Sequence, residues 1–248
     1  MVITYANKQR WYKELRENPL DGFGGNAQSK IKSTLKKIHF YGIEAKIRPL
    51  TRELLNEFLP IYEKEIMRKN NPRIFNVEDK TLGKASSGYP YFYLSLTEND
   101  HVLGGTIFSE KPDTLSVSYR AYGANWRHAT LQAKPALYAE YVLAKKALSL
   151  GKARISHGRD RNPYGLNANI GLAAFKLSIG CRPYVPEDFE LNVIDTDTIK
   201  TDALILQYPD NGENRISKAF LVTAAETEQK WLQVTKYPEA LRVEIIRS

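Results

Sequence analysis

The chain is poor in cysteine: Cys181 is the single one in 248 residues. That excludes an intramolecular disulfide and any zinc site built from cysteines. A buried structural thiol is the expectation for Cys181, and a reducing compartment, the cytoplasm, for the protein. Histidine is nearly as scarce. His39, His101, His128 and His157 stand at no metal-ligand spacing, and no H-x-x-x-H occurs, so no metal site is expected. No apolar run approaches the roughly 18 residues of a membrane span. The opening "MVITYANKQRWYKELRENPL" lacks the apolar stretch of a signal peptide. Internal repeats and low-complexity segments are absent. So are G-x-G-x-x-G, G-x-x-x-x-G-K-[ST] and G-x-S-x-G, which leaves dinucleotide, P-loop and serine-elbow chemistry without support.

What is present begins with a globular composition. An 11% aromatic content argues against disorder, and the length allows a sizeable core. The net charge of +8 favours a polyanionic partner or simply marks a basic soluble protein; "KIKSTLKKIHF" is its one local cluster. "NPLDGFGGNAQSK" (Asn18–Lys30) reads as a linker between a helix at roughly Tyr5–Glu17 and a basic helix near Gln28–Lys37. Residues 1–40 are therefore expected to form a helical N-terminal appendage and residues 41–248 the main domain.

From Gly42 the pattern is regular. "GIEAKIRPL" alternates as a half-buried strand does. Thr51 caps a helix that places Leu54, Leu55, Phe58, Tyr62 and Ile66 on one face, with Pro60 inside it. After a polar connection, Asn70–Gly88, the segments "PYFYLSLTE", "HVLGGTIFSE" and "DTLSVSYRAYG" predict three antiparallel strands with short turns. "PALYAEYVLAKKALSLG" predicts a helix with Pro135 in its first turn and Gly151 past its end. A strand "ARISHGR", a helix "NIGLAAFKLSIG", a strand "TDALILQYP", a helix near Ala224–Val234 and a strand "RVEIIRS" complete the chain. A meander followed by β-α-β-α-β excludes a doubly wound parallel sheet. It predicts an α+β fold with a mixed, mostly antiparallel sheet flanked by helices.

Chemistry concentrates between Ile155 and Gly180. His157, Arg159, Asp160 and Arg161 fall within five residues, just ahead of a helix that Asn167 or Asn169 should cap. Direct acyl transfer needs an amine to lose a proton and an oxyanion to be stabilised. His157 suits the base, or is a hydrogen-bonded core histidine. Arg159 suits a bidentate clamp on phosphate or carboxylate, and Arg161 a surface charge. Asp160 orients Arg or His, or caps the turn. Tyr164 lies in the loop that follows and suits an acid for the leaving group. Arg120, Tyr122, Trp126, Arg127 and His128 interleave aromatic and basic residues, as surfaces that stack on bases and pair with phosphates do. Sheet packing is the alternative for Tyr122.

These pieces, "SYRAYG", "LYAEYVLAKKALSLG", "SHGR" and "AAFKLSIG", resemble in kind and order the Fem-type branch of the GNAT acyltransferase superfamily, over about Gly42–Val185. The resemblance implies a GNAT-like fold and an N-acyltransferase. It implies an active-site role for Phe175, whose ring stacks, and for Lys176, which stabilises charge; a solvent-facing lysine is the alternative. One departure bears on the donor. Acyl-CoA enzymes of this fold usually open the long helix with a Gly-rich loop that holds pyrophosphate. Here "GANWRHATLQAKPALY" carries one glycine, Gly123, with Arg127 and His128. That favours aminoacyl-tRNA as donor over acyl-CoA or an acyl carrier protein, with no tightly bound cofactor and an amine-bearing acceptor. The helix "QSKIKSTLKK" would then be an electrostatic foot for tRNA. The competing class is a non-catalytic GNAT-like domain that binds RNA or another polyanion.

Overall fold

A computed structural model describes the chain except residues 69–73, 84, 85, 87, 124, 125, 129, 211 and 248. Part of the connection expected at Asn70–Gly88, and Ala124, Asn125 and Ala129 of the Gly-poor stretch, lie outside the described residues. In chain order the elements are β1 (Val2–Ala6), β2 (Lys8–Glu14), α1 (Gly25–Leu35), β3 (Ile43–Pro49), α2 (Arg52–Met67), α3 (Val77–Thr81), β4 (Tyr91–Glu98), β5 (His101–Glu110) and β6 (Thr114–Tyr122). There follow α4 (Pro135–Ser149), β7 (Arg154–Arg161), α5 (Ile170–Ser178), β8 (Cys181–Tyr184), β9 (Leu191–Asp195), β10 (Ala203–Leu206), β11 (Lys218–Thr223), α6 (Ala225–Trp231) and β12 (Arg242–Arg247). The architecture is α+β, with mostly antiparallel sheets flanked by helices. The chain divides into two compact units: Leu15–Asp21 with Gly25–Ile155, and Met1–Glu14 with Gly22–Gly24 and Ser156–Ser248.

In the first unit β3, β4, β5 and β6 pair antiparallel in sequence order. The β4–β5 turn is the two residues Asn99 and Asp100, at φ 48° and 63°. Asn and Asp tolerate the left-handed backbone that a tight hairpin needs, so "ND" suffices without glycine. Both sheet faces are covered. Tyr93, Ile107 and Ala121 pack on Leu54, Leu55, Phe58 and Tyr62 of α2, while Leu94, Leu96, Leu103 and Phe108 pack on Tyr138, Ala139, Leu143 and Ala147 of α4. Each fully buried Leu or Phe contributes roughly 1.5–3 kcal/mol. The helix ends follow their local signals. Thr51 Oγ1 accepts from Leu54 N at 3.3 Å, α2 runs through Pro60, and Pro135 opens α4.

In the second unit β1 pairs antiparallel with β9, and β2 lies between β7 and β8. β10 and β11 are antiparallel, and β12 joins β11 in parallel. Their apolar side chains, among them Ile205, Phe220 and Val222, pack with Ile3 and Ile199. Cys181 is buried.

The N-terminal segment differs from expectation. Instead of a helix at Tyr5–Glu17 there are two strands, β1 and β2, so residues 1–40 are not a helical appendage; α1 is the helix they contain. The reason is the composition of the inward face of β2. Gln9, Trp11 and Lys13 are each 0% exposed, so two of its three buried positions are polar and the apolar alternation of a strand is hidden. Strands β8, β9 and β11 and helix α3 are also additional to the expected elements. The helix expected at Ala224–Val234 ends at Trp231 and continues as a 3₁₀ turn, Leu232–Lys236.

Candidate active site

The second unit gathers the functional side chains around the turn from β7 to α5. Asn162 fixes the turn from inside. Its amide nitrogen donates to the carbonyls of Ala6 at 3.1 Å and Leu206 at 2.8 Å, and its oxygen accepts from Leu206 N at 3.1 Å. Tyr164 is tied to Leu204 by two backbone hydrogen bonds of 2.9 Å. Asn169 caps α5 by accepting from Gly171 N at 2.7 Å, as the sequence proposed for Asn167 or Asn169. With the helix phased in this way, Ile170, Ala173, Ala174 and Leu177 form its apolar stripe and Lys176 falls at the edge of the buried side.

Two donors then meet at one carboxylate oxygen. Lys176 Nζ donates to Asp160 Oδ2 at 2.7 Å, and Tyr164 Oη donates to the same oxygen at 2.6 Å. Trp11 Nε1 on β2 donates to Tyr164 Oη at 2.7 Å. An indole N–H is a donor only, so the tyrosine oxygen must accept there and point its single proton at Asp160. Burial, then the neighbouring Asp160 charge, push the Tyr164 hydroxyl well above its ordinary pKa, which keeps that proton in place. The ammonium also sits 5.7 Å from the Trp11 ring centroid. The Lys176 and Asp160 side chains are 6% and 10% exposed, so this is a buried, charge-assisted pair rather than a solvated lysine. On the same face of β2, Lys13 Nζ lies 3.1 Å over the Phe23 ring.

The other expected residues are placed as follows. His157 is buried within β7. Tyr164, expected in the loop after the strand as an acid for the leaving group, is fully buried. Phe175 is half-buried beside Lys176. Arg159 is exposed and forms an ion pair with Asp188, near Lys8. Burial opposes ionisation of Asp188, but the hydrogen bond and charge of Arg159, with Asp188's own backbone N–H and the charge of Lys8, together outweigh it, and the carboxyl lies below its usual range. Such a surface pair contributes little to stability. Arg161 is exposed, as expected. Four residues belong to the first unit. Arg120 on β6 pairs with the buried Glu140 of α4. Tyr122 shares a 2.9 Å hydrogen bond with Thr106, and burial pushes its hydroxyl up to about 12. Arg127 donates its backbone N–H to Glu98 at 2.8 Å, and His128 stacks on Tyr41. Among the described residues, no three His, Cys, Asp or Glu side chains are grouped as metal ligands.

Trp11 is the site residue that the sequence did not reveal. Along Lys8–Glu14 neither size nor polarity alternates with burial, so no local signal marked it.

No family model and no curated protein matches this chain. Solved structures do. FemX superposes with a TM-score of 0.52 at 15% identity, over 71% of this chain and 59% of that one. The C-terminal domain of a putative lysylphosphatidylglycerol synthetase from Agrobacterium fabrum gives 0.48 at 10% identity, over 79% and 63%. L-PGS from Bacillus licheniformis gives 0.43 at 14%, over 64% and 46%. The chain thus spans less than two thirds of the length of each. At these identities the likeness is one of fold, and the fold is GNAT-like, as the order of elements from Gly42 implied.

Proposed function

We propose that the protein is an N-acyltransferase that moves an aminoacyl group from aminoacyl-tRNA to an amine by direct attack. The observation that carries this reading is the buried Lys176–Asp160 pair, oriented by Tyr164 and Trp11. In the reaction the amine nitrogen attacks the ester carbonyl, a C–N bond forms, and the C–O bond to the tRNA ribose breaks. The carbonyl oxygen becomes an oxyanion on the way. An ammonium held in a low-dielectric setting supplies fixed positive charge to such an oxyanion without reorganising. Lys176 has that role here, and Phe175 stacks beside the substrate. His157 takes the proton of the attacking amine, which returns to the leaving ribose oxygen. Tyr164 is a positioning residue, since its proton is committed to Asp160. Arg120, Tyr122, Arg127, His128 and Arg159 contribute to donor binding.

The donor assignment has its own support. Helix α4 opens on Pro135, whose missing N–H removes one of the donors that a helix start can offer. That is a poor cradle for a CoA pyrophosphate, which depends on backbone N–H groups at a helix start.

The test is transfer of a labelled aminoacyl group from charged tRNA to a panel of amines. The double variant Lys176→Met/Asp160→Asn removes the charge pair without stranding either partner. It should fold, bind tRNA as the parent does, and lose transfer by about 10²-fold or more, the cost of removing one oxyanion donor. Product formation that is unchanged in that variant, or unchanged when tRNA is omitted, contradicts the proposal.

A further inference from the structure

We propose that the surface around Phe40 is a stacking shelf for an unpaired nucleotide of an RNA. Phe40 is 84% exposed. One exposed ring means little by itself; the surroundings of this one point to a ligand. Its ring stands edge-on to Tyr41, with centroids 5.0 Å apart at 83°. Tyr41 stacks in turn on His128, with centroids 4.1 Å apart at 21°.

Both rings beneath Phe40 are held in place. The Thr130 hydroxyl donates to Tyr41 Oη at 2.9 Å, and Lys37 Nζ donates to the Thr130 carbonyl at 3.1 Å. His128 Nε2 faces Glu98 Oε1 at 3.8 Å, while Glu98 Oε2 accepts from Arg127 N at 2.8 Å. The Trp126 indole donates to the Ala133 carbonyl, and Ala133 N donates to Thr34 Oγ1 of α1 at 3.0 Å. The end of α1 and the segment that carries His128 therefore fix one another, and the aromatic group is preorganised.

The two segments that carry these rings are basic. Residues 36–41 and 126–131 include Lys36, Lys37, His39, Arg127 and His128, and no Asp or Glu. Glu98, the carboxylate beneath them, is fully buried. A rigid ring bordered by cations suits single-stranded nucleic acid: the ring takes a base and the cations take the flanking phosphates. A lipid surface calls for a broader apolar face, whereas Phe40 is bordered by Lys, His and Tyr. The inference rests on the tRNA-borne donor proposed above for the identity of the RNA, and it adds Phe40 and Tyr41 to the donor-binding residues Arg127 and His128.

The experiment is fluorescence-anisotropy binding of a short single-stranded RNA and of whole tRNA across a salt series. Phe40→Ala should weaken oligonucleotide binding about 5- to 150-fold, the range that stacking of one base supplies, and leave the salt slope unchanged. Phe40→Trp should restore binding. Lys36→Ala, at an exposed position, should instead flatten the slope by about 0.7. If wild type binds tRNA and Phe40→Ala binds it and the oligonucleotide equally well, the shelf is overturned while the donor reading stands. If wild type binds neither RNA, the donor reading falls and takes the shelf with it. Retention on phosphatidylglycerol–phosphatidylcholine vesicles that depends on Phe40, with RNA binding indifferent to it, makes the surface a membrane contact and also overturns the proposal.

Discussion

Lys176 and Asp160 show how much of a residue's role depends on its partner. Each is buried, and each is tolerable because the other is there. Lys176→Met alone leaves the Asp160 carboxylate buried against a single tyrosine proton and should cost about 3–5 kcal/mol. Adding Asp160→Asn should recover most of that loss. Urea unfolding of the three variants checks this; strictly additive single and double effects count against a coupled pair. Legibility at this scale was uneven. His157, Asp160 and Tyr164 were singled out by residue type and spacing on one short stretch, and Lys176 by the resemblance. Trp11, which donates to Tyr164, stands 153 residues before it, and no local pattern reports such a contact.

At the scale of elements, turns carry more of the fold than their lengths suggest. Gly180 links α5 to β8 at φ +88°, and a Cβ there would lie 2.2 Å from the carbonyl oxygen of Gly22. Gly180→Ala combines a left-handed backbone with a backbone clash, so it should destabilise by more than about 1–2 kcal/mol. A thermal midpoint equal to that of the parent contradicts this. From Gly42 on, the elements other than α3, β8, β9 and β11 were legible because their patterns are local and conventional: a proline at a helix start, a glycine past its end, "ND" in a hairpin. β2 was not, because a strand that buries Gln9 and Lys13 reads as amphipathic in neither period. The inward face that hid the strand is also the one whose Trp11 reaches Tyr164.

For the whole molecule, pH reads out burial. Tyr119 and Tyr122 are pushed up to about 12, and Tyr93 and Tyr164 are also raised, in each case chiefly by burial. Groups raised in the folded state stabilise it fully below their ordinary value near 10, and that contribution is lost as pH climbs through the folded values. At the acid end, burial acts to raise Asp202, but hydrogen bonds from Thr227, Trp231 and Thr223 outweigh it and hold the carboxyl below 3.8. Its contribution is present above 3.8 and is lost as pH falls through the lowered value. Thermal midpoints should therefore hold across neutral pH, decline from about pH 10 upward, and decline again in strong acid. Midpoints that stay level from pH 9 to pH 12.5 contradict the alkaline half. The pairing of β1 and β2 with β9 and β8 sets a different clock. At about 5–20 residues per second, a ribosome that has just made Trp11 needs roughly 8–30 s to reach Tyr164. Until β7 is made, β2 has neither of its neighbours, and β1 waits longer still, for β9. A nascent chain that halts before β7 therefore carries Gln9, Trp11 and Lys13 with no sheet to bury them.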